Sequence, residues 1–374
     1  MRNADGANPG IRGWAARKMV AQDARWATDV VLSAQQLPTL SPYVGLLLGH
    51  HFVRIAYEGG LTLRSQDPAV GVPELANLLQ DKFGPITARV RHATKLLDDT
   101  KKTFDAVVDE FDGIVLEHRS HLMGKAVRIA RWLETDLGLY VSDRRPVGAT
   151  VPIAYRLGVR MSADGTIAGD DLRVVSQEWG GTLAVLNAAA LNGAEQVSTL
   201  DLGQVPEIRG RDRRSDRYLH GRFEPEFSVG LKMLLLAVEG DVNTLTMIVP
   251  HTSQGHEESV FRLRIVTLFH ALSTLRHIQL RYADLRSTGI RALSQLLDDN
   301  AARWLLSSHG KAVRNRCMHY PILDKGLDLD PERPMFGIVE AMSAGRSMAD
   351  VAEDGSATLR RLAQFLHNWR PDRH

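Results

Sequence analysis

Arg314, Asn315 and His319 place a guanidinium, an amide and an imidazole within one short run, Lys311-Ala-Val-Arg-Asn-Arg-Cys-Met-His-Tyr-Pro321. These types suit the steps of RNA cleavage without a metal. That reaction needs a base for the ribose 2′-OH, a charge beside the phosphate and an acid for the leaving 5′-oxygen. Histidine titrates near neutrality and can move either proton. Arginine keeps its charge and offers a planar fork of donors to phosphate. Asn315 precedes His319 by four positions, so both share one helical face and the amide can fix the imidazole or a ribose. Arg314 lies about 140° from His319 on an ideal helix, and would converge with it on a shared phosphate through its length. The same residues also have a plain structural use, because a helix C-terminus favours cationic side chains.

The run reads as a helix stopped by Pro321. A bare Arg-to-His spacing recurs at Arg214/His220, Arg264/His270, Arg303/His309 and Arg360/His367, but only Arg314 is followed directly by Asn. Arg314-Asn315-x-x-x-His319 resembles the R-N-x-x-x-H signature of HEPN-domain ribonucleases, over roughly residues 255–374. The resemblance implies a helical bundle that pairs as a homodimer, so that two motifs form one composite site. It implies a metal-independent endoribonuclease acting on RNA, with Arg314, Asn315 and His319 catalytic, no cofactor and no metal. It also implies a toxin or phage-defence role beside an antitoxin or sensor protein. Some relatives of that kind lack activity, so the alternative is a non-catalytic helical module that binds a nucleotide or a partner.

Other clusters carry less. Glu117-His118-x-x-His121 sets two imidazoles a turn apart without the His-Glu-x-x-His spacing of a zinc site. His50-His51 diverge by about 100° on a helix and would not chelate together. His251 and His256 precede Glu257 and Glu258, which suit a helix N-terminus without any metal. Arg209-Gly-Arg-Asp-Arg-Arg-Ser-Asp-Arg217 reads as a solvated basic loop, with an RNA-phosphate clamp as its functional alternative. Cys317 reads as a small buried filler. Dinucleotide, P-loop and hydrolase-elbow motifs are absent from the sequence.

The elements that must hold these residues follow from composition and period. The chain has 374 residues, a net charge of +2, 6% aromatics and one cysteine. Near-neutral charge argues against a general nucleic-acid coat, though a local basic groove stays open. A single thiol fits a reducing compartment. With no apolar run of membrane-spanning length and no apolar leader, the expectation is a cytoplasmic protein away from the membrane.

The expected fold class is α+β and predominantly helical. Residues 1–10 are expected to be disordered, 11–145 a helical domain, 146–252 a small α+β domain, and 253–374 a HEPN-like helical domain. Within the middle part, Val151–Met161 reads as a strand turning at Ser162–Gly165, and Val229–Val238 as a strand of a second hairpin turning at Glu239-Gly-Asp241. Gly181–Asn192 reads as a short buried helix. In the last part, helices are expected at about 258–275, 288–307, 311–320 and 356–369.

Overall fold

A computed structural model describes residues 9–66, 84–98, 101–124, 134–158, 169–191, 199–324 and 326–372. Among the described residues are fourteen α-helices and one three-stranded sheet, a predominantly helical α+β fold. The first two helices, α1 (Pro9–Gln35) and α2 (Ser41–Gln66), pack on each other and lead to α3 (Gly84–Ala93) and a 3-10 turn at Leu96–Asp98. Helix α1 begins inside the stretch expected to be without structure, with Pro9 at a position where its missing N–H costs nothing. Helix α4 (Phe104–Leu122) starts on Thr103, whose hydroxyl accepts from the Ala106 N–H.

The sheet has the order β2-β1-β3 and is antiparallel throughout. Strands β1 (Leu137–Ser142) and β2 (Arg145–Ala149) turn through Asp143 and Arg144, which take φ of 44° and 66°. The hairpin therefore precedes the one expected. The first part of the strand expected over Val151–Met161 lies in α5 (Thr150–Leu157), a helix closed by Gly158 at φ 66°. The Ser162–Gly165 turn lies outside the described residues. Helix α6 (Gly169–Leu191) packs against α1 and α2 and contains most of the short helix expected at 181–192. The supposed basic loop is an exposed edge strand, β3 (Arg209–Arg213), followed by α7 (Ser215–His220).

The second expected hairpin is a single helix, α8 (Val229–Met247), capped by Ser228. It is buried nearly all round, by β2, α4, α9 and α14. A short apolar run has no period that separates a buried strand from a buried helix. Its supposed turn residues are ion-pair partners: Glu239 receives Arg222 and Asp241 receives Arg156.

The last third is helical as its apolar stripes indicate. Helix α9 (Glu257–Arg281) buries Phe261, Ile265, Leu268, Leu272 and Leu275. The stretch expected as one helix over 288–307 is two, α10 (Thr288–Leu297) and α11 (Asn300–Leu306), divided where Asp299 caps the second. Then follow α12 (Ser308–Met318), α13 (Ile338–Met342) and α14 (Met348–Asn368), the last opened by a Ser347/Asp350 capping box. One continuous apolar core, from Ala15 to Trp369, runs through the segments 11–145, 146–252 and 253–374. No helix among the described residues is long and apolar enough to cross a membrane.

Candidate functional site

Helix α12 presents the Arg-Asn-His residues, and its two ends explain how. Ser307 caps the first turn by accepting from Gly310. His319 closes the last turn: it leaves helical geometry at φ −121° and ψ 128°, while its N–H still reaches the Asn315 carbonyl at 2.9 Å. Pro321 cannot extend the helix and steers Tyr320 toward extended backbone.

His319 and Arg314 then go to different carboxylates. The His319 Nδ1 lies 2.8 Å from Glu58 Oε2 on α2. The other oxygen of Glu58 accepts from Arg91 on α3, at 2.6 Å from Nε. Burial pushes the Glu58 carboxyl up, but the His319 hydrogen bond and the Arg91 charge outweigh it and hold the group below its usual range. An ionised Glu58 assigns the Nδ1 proton to the imidazole, by the partner it must satisfy. Nε2 lies on the far side of the ring, and 43% of the side chain is exposed. The arrangement is an imidazole oriented by a buried carboxylate with its second nitrogen accessible, which is the form of a general base or acid.

Arg314 points under this surface. Its Nη2 donates to Asp98 Oδ2 at 3.2 Å, and its guanidinium carbon stands 4.3 Å from the centre of the Phe269 ring. Asp98 also holds His270 Nδ1 at 3.0 Å and accepts from Ser273 Oγ at 3.0 Å. Burial pulls Arg314 down, Asp98 opposes this, and the nearby Arg91 adds repulsion; arginine keeps its proton in such a setting. Arg91 thus stands between the two clusters. Asn315 gives its main-chain carbonyl to His319, and its half-buried side chain makes no hydrogen bond among the described residues. Of the three, Asn315 and His319 are partly exposed while Arg314 is buried, and Arg314 and His319 engage different carboxylates.

A third cluster fixes the base of the helix. Asp23 on α1 receives Arg262 Nη2 at 2.6 Å, Arg54 Nη2 at 3.1 Å and the Tyr320 hydroxyl at 2.7 Å, all buried. Arg54 also donates from Nη1 to the Cys317 carbonyl at 3.2 Å, satisfying an orphan oxygen at the end of α12. Burial pushes Asp23 up, yet the two guanidiniums hold it below its usual range.

Sequence reading misses Glu58, Arg91, Asp98 and Asp23, and treats His270 only as part of a bare Arg-to-His spacing. No local signal marks a carboxylate 261 positions from its imidazole. Other histidines that the sequence singles out are buried. His50 and His51 are buried with ring centres 3.8 Å apart, closer than helical divergence suggests. His256 pairs with Asp29 at 3.0 Å, and His118 is buried on α4. Burial pushes the Cys317 thiol up to about 12. No cluster of three metal-capable side chains occurs among the described residues. Compared with protein-family models, with curated proteins and with solved structures, the chain matches none.

Proposed function

We propose that this chain is a metal-independent endoribonuclease of HEPN type, acting as a cytoplasmic homodimer. The observation that carries the reading is the half-exposed His319 held by buried Glu58. Nε2 would accept the 2′-OH proton as O2′ attacks phosphorus, giving a 2′,3′-cyclic phosphate. The leaving 5′-oxygen would take its proton from the second copy's imidazole, since one such group per chain serves one transfer. Asp98 engages Arg314 in the protomer, so Arg314 is here a positioning residue that braces α12. A toxin or phage-defence setting, with an antitoxin or sensor protein as partner, belongs to the same reading.

The anchored Arg314 also favours a second reading, a non-catalytic helical module that binds a nucleotide or a partner. Labelled RNA incubated with the full chain in EDTA separates the two. The nuclease reading expects cyclic-phosphate ends, a loss of cleavage of about 100-fold or more in His319→Ala, and a clear fall in Glu58→Gln. Cleavage that is equal in wild type and both variants rejects it. A folded protein that leaves RNA intact and binds a nucleotide supports the second reading.

A further inference from the structure

The edge strand β3 carries chemistry that the His319 site does not use. Arg209, Arg211 and Arg213 alternate along it, so all three side chains leave one face of the sheet. The β1 residues opposite them in register are Val141, Leu139 and Leu137. Directly opposed residues in an antiparallel pair share a face, so the arginine stems cover an apolar strip while their heads stay in solvent. A cavity of about 530 Å³ opens over this face, lined by Leu139, Val141, the three arginines and Tyr218. A second cavity of about 460 Å³ shares Arg213 and Tyr218 with it and continues past Arg214 and Arg217.

The charge in the first cavity is unbalanced. Arg144 joins the three strand arginines, against only Asp143 and Glu207 in the lining, four cations to two anions. Glu207 engages Arg209 at 2.6 Å, and Asp216 engages Arg214 at 2.8 Å. Arg144, Arg211 and Arg213 make no ion pair among the described residues. Like charges on a neighbouring row repel one another, and an anion relieves that repulsion.

We infer that this groove binds a single-stranded RNA segment, its phosphates along Arg209, Arg211 and Arg213 and its bases against the partly exposed Val141 and Tyr218. The inference deepens the RNA reading above and rests on it. The arrangement of donors selects the ligand. Alternate residues of a strand are spaced about 6.6 Å apart, so the guanidiniums form a line of about 13 Å. A line suits a chain of phosphates, whereas a mononucleotide's clustered phosphates need donors that converge. A partly exposed aromatic ring beside an apolar side chain accepts unpaired bases without regard to sequence.

Binding is measured apart from cleavage by using His319→Ala in EDTA and following a fluorescein-labelled single-stranded RNA by anisotropy across salt concentrations. Adding Arg211→Gln and Arg213→Gln should weaken binding at least tenfold. It should also lower the slope of log Kd against log salt by about 1.4, at about 0.7 per lost single-strand phosphate contact. Arg291→Gln, which lies outside both cavities, should leave affinity and slope as they were. Parental affinity and slope in the double variant would overturn the inference, as would displacement of the RNA by low concentrations of ATP. In proteins that keep His319, RNA that binds through the groove but is left intact rejects the nuclease reading alone, and RNA that is bound at parental affinity and cut by Arg211→Gln/Arg213→Gln rejects the groove alone.

Discussion

Single residues in this protein divide by what burial does to them. Cys317 is wholly enclosed and its thiol pushed up to about 12, so the thiolate that reacts with disulfide reagents is scarce at neutral pH. A thiol titration of native protein should therefore read near zero and rise to one per chain in denaturant; prompt labelling of the native state would contradict the burial. His50 and His51 show the opposite vulnerability. Burial first holds both well below the ordinary histidine value, with His51, Arg156 and Arg54 then adding repulsion on His50, and Arg54 and Arg156 on His51. Asp241, 4.0 Å from His50, gives its charge to Arg156, and His270 adds to the repulsion on His51. The unfolded chain thus binds protons that the folded chain refuses. Their contribution to stability is full above the unfolded value of about 6.5 and declines as pH falls below it. The melting temperature should drop between neutral pH and about pH 5, and His51→Gln should flatten that drop; an unchanged pH profile would contradict the assignment. Asp23 and Glu58 work with the same sign lower down. Their depressed carboxyls stabilise above the unfolded carboxyl value, and lose that contribution as pH falls through the folded one. The identities Arg314, Asn315 and His319 were legible because they sit in one short run. Their partners were not, because a charged residue on a buried face looks like any other charged residue until the chain returns to it.

The helices were legible where one side faces solvent. Helix α14 shows a stripe of Leu359, Leu362 and Leu366, and α9 shows one of five apolar residues, so a period of 3.6 is visible in both. Helix α8 hides its period because neighbours cover every side, and its two buried ion pairs imitate turn chemistry. The junction between α11 and α12 turns on a glycine. Gly310 lies inside the first turn of α12, where a Cβ would come within 2.1 Å of the Leu305 carbonyl oxygen. Main chain cannot swing aside as a side chain can. Gly310→Ala should cost on the order of 2–3 kcal/mol, seen as a lower denaturant midpoint. A variant as stable as the parent would show that the junction is looser than its packing indicates.

Over the whole molecule, the C-terminal helices depend on the N-terminal ones through charge as well as packing. Asp23 alone joins α1 to α2 by Arg54, to α9 by Arg262, and to the end of α12 by Tyr320. Asp23→Ala would leave two buried guanidiniums without their anion, at a cost of roughly 3–5 kcal/mol; a loss below 1 kcal/mol would mean that water reaches them. A fragment of residues 253–374 would carry Arg314 and His319 without Asp98 and Glu58. It should melt broadly or at far lower temperature than the full chain, and a sharp transition near that of the full chain would make the domain self-sufficient. The hydrogen bond from Arg54 to the Cys317 carbonyl spans 263 positions, and that separation orders events during synthesis. Glu58 and Arg54 leave the ribosome long before the helix they hold. If the nuclease reading is right, a growing chain carries its carboxylate with no imidazole to orient, and it stays harmless to the RNA around it until the last third has been made.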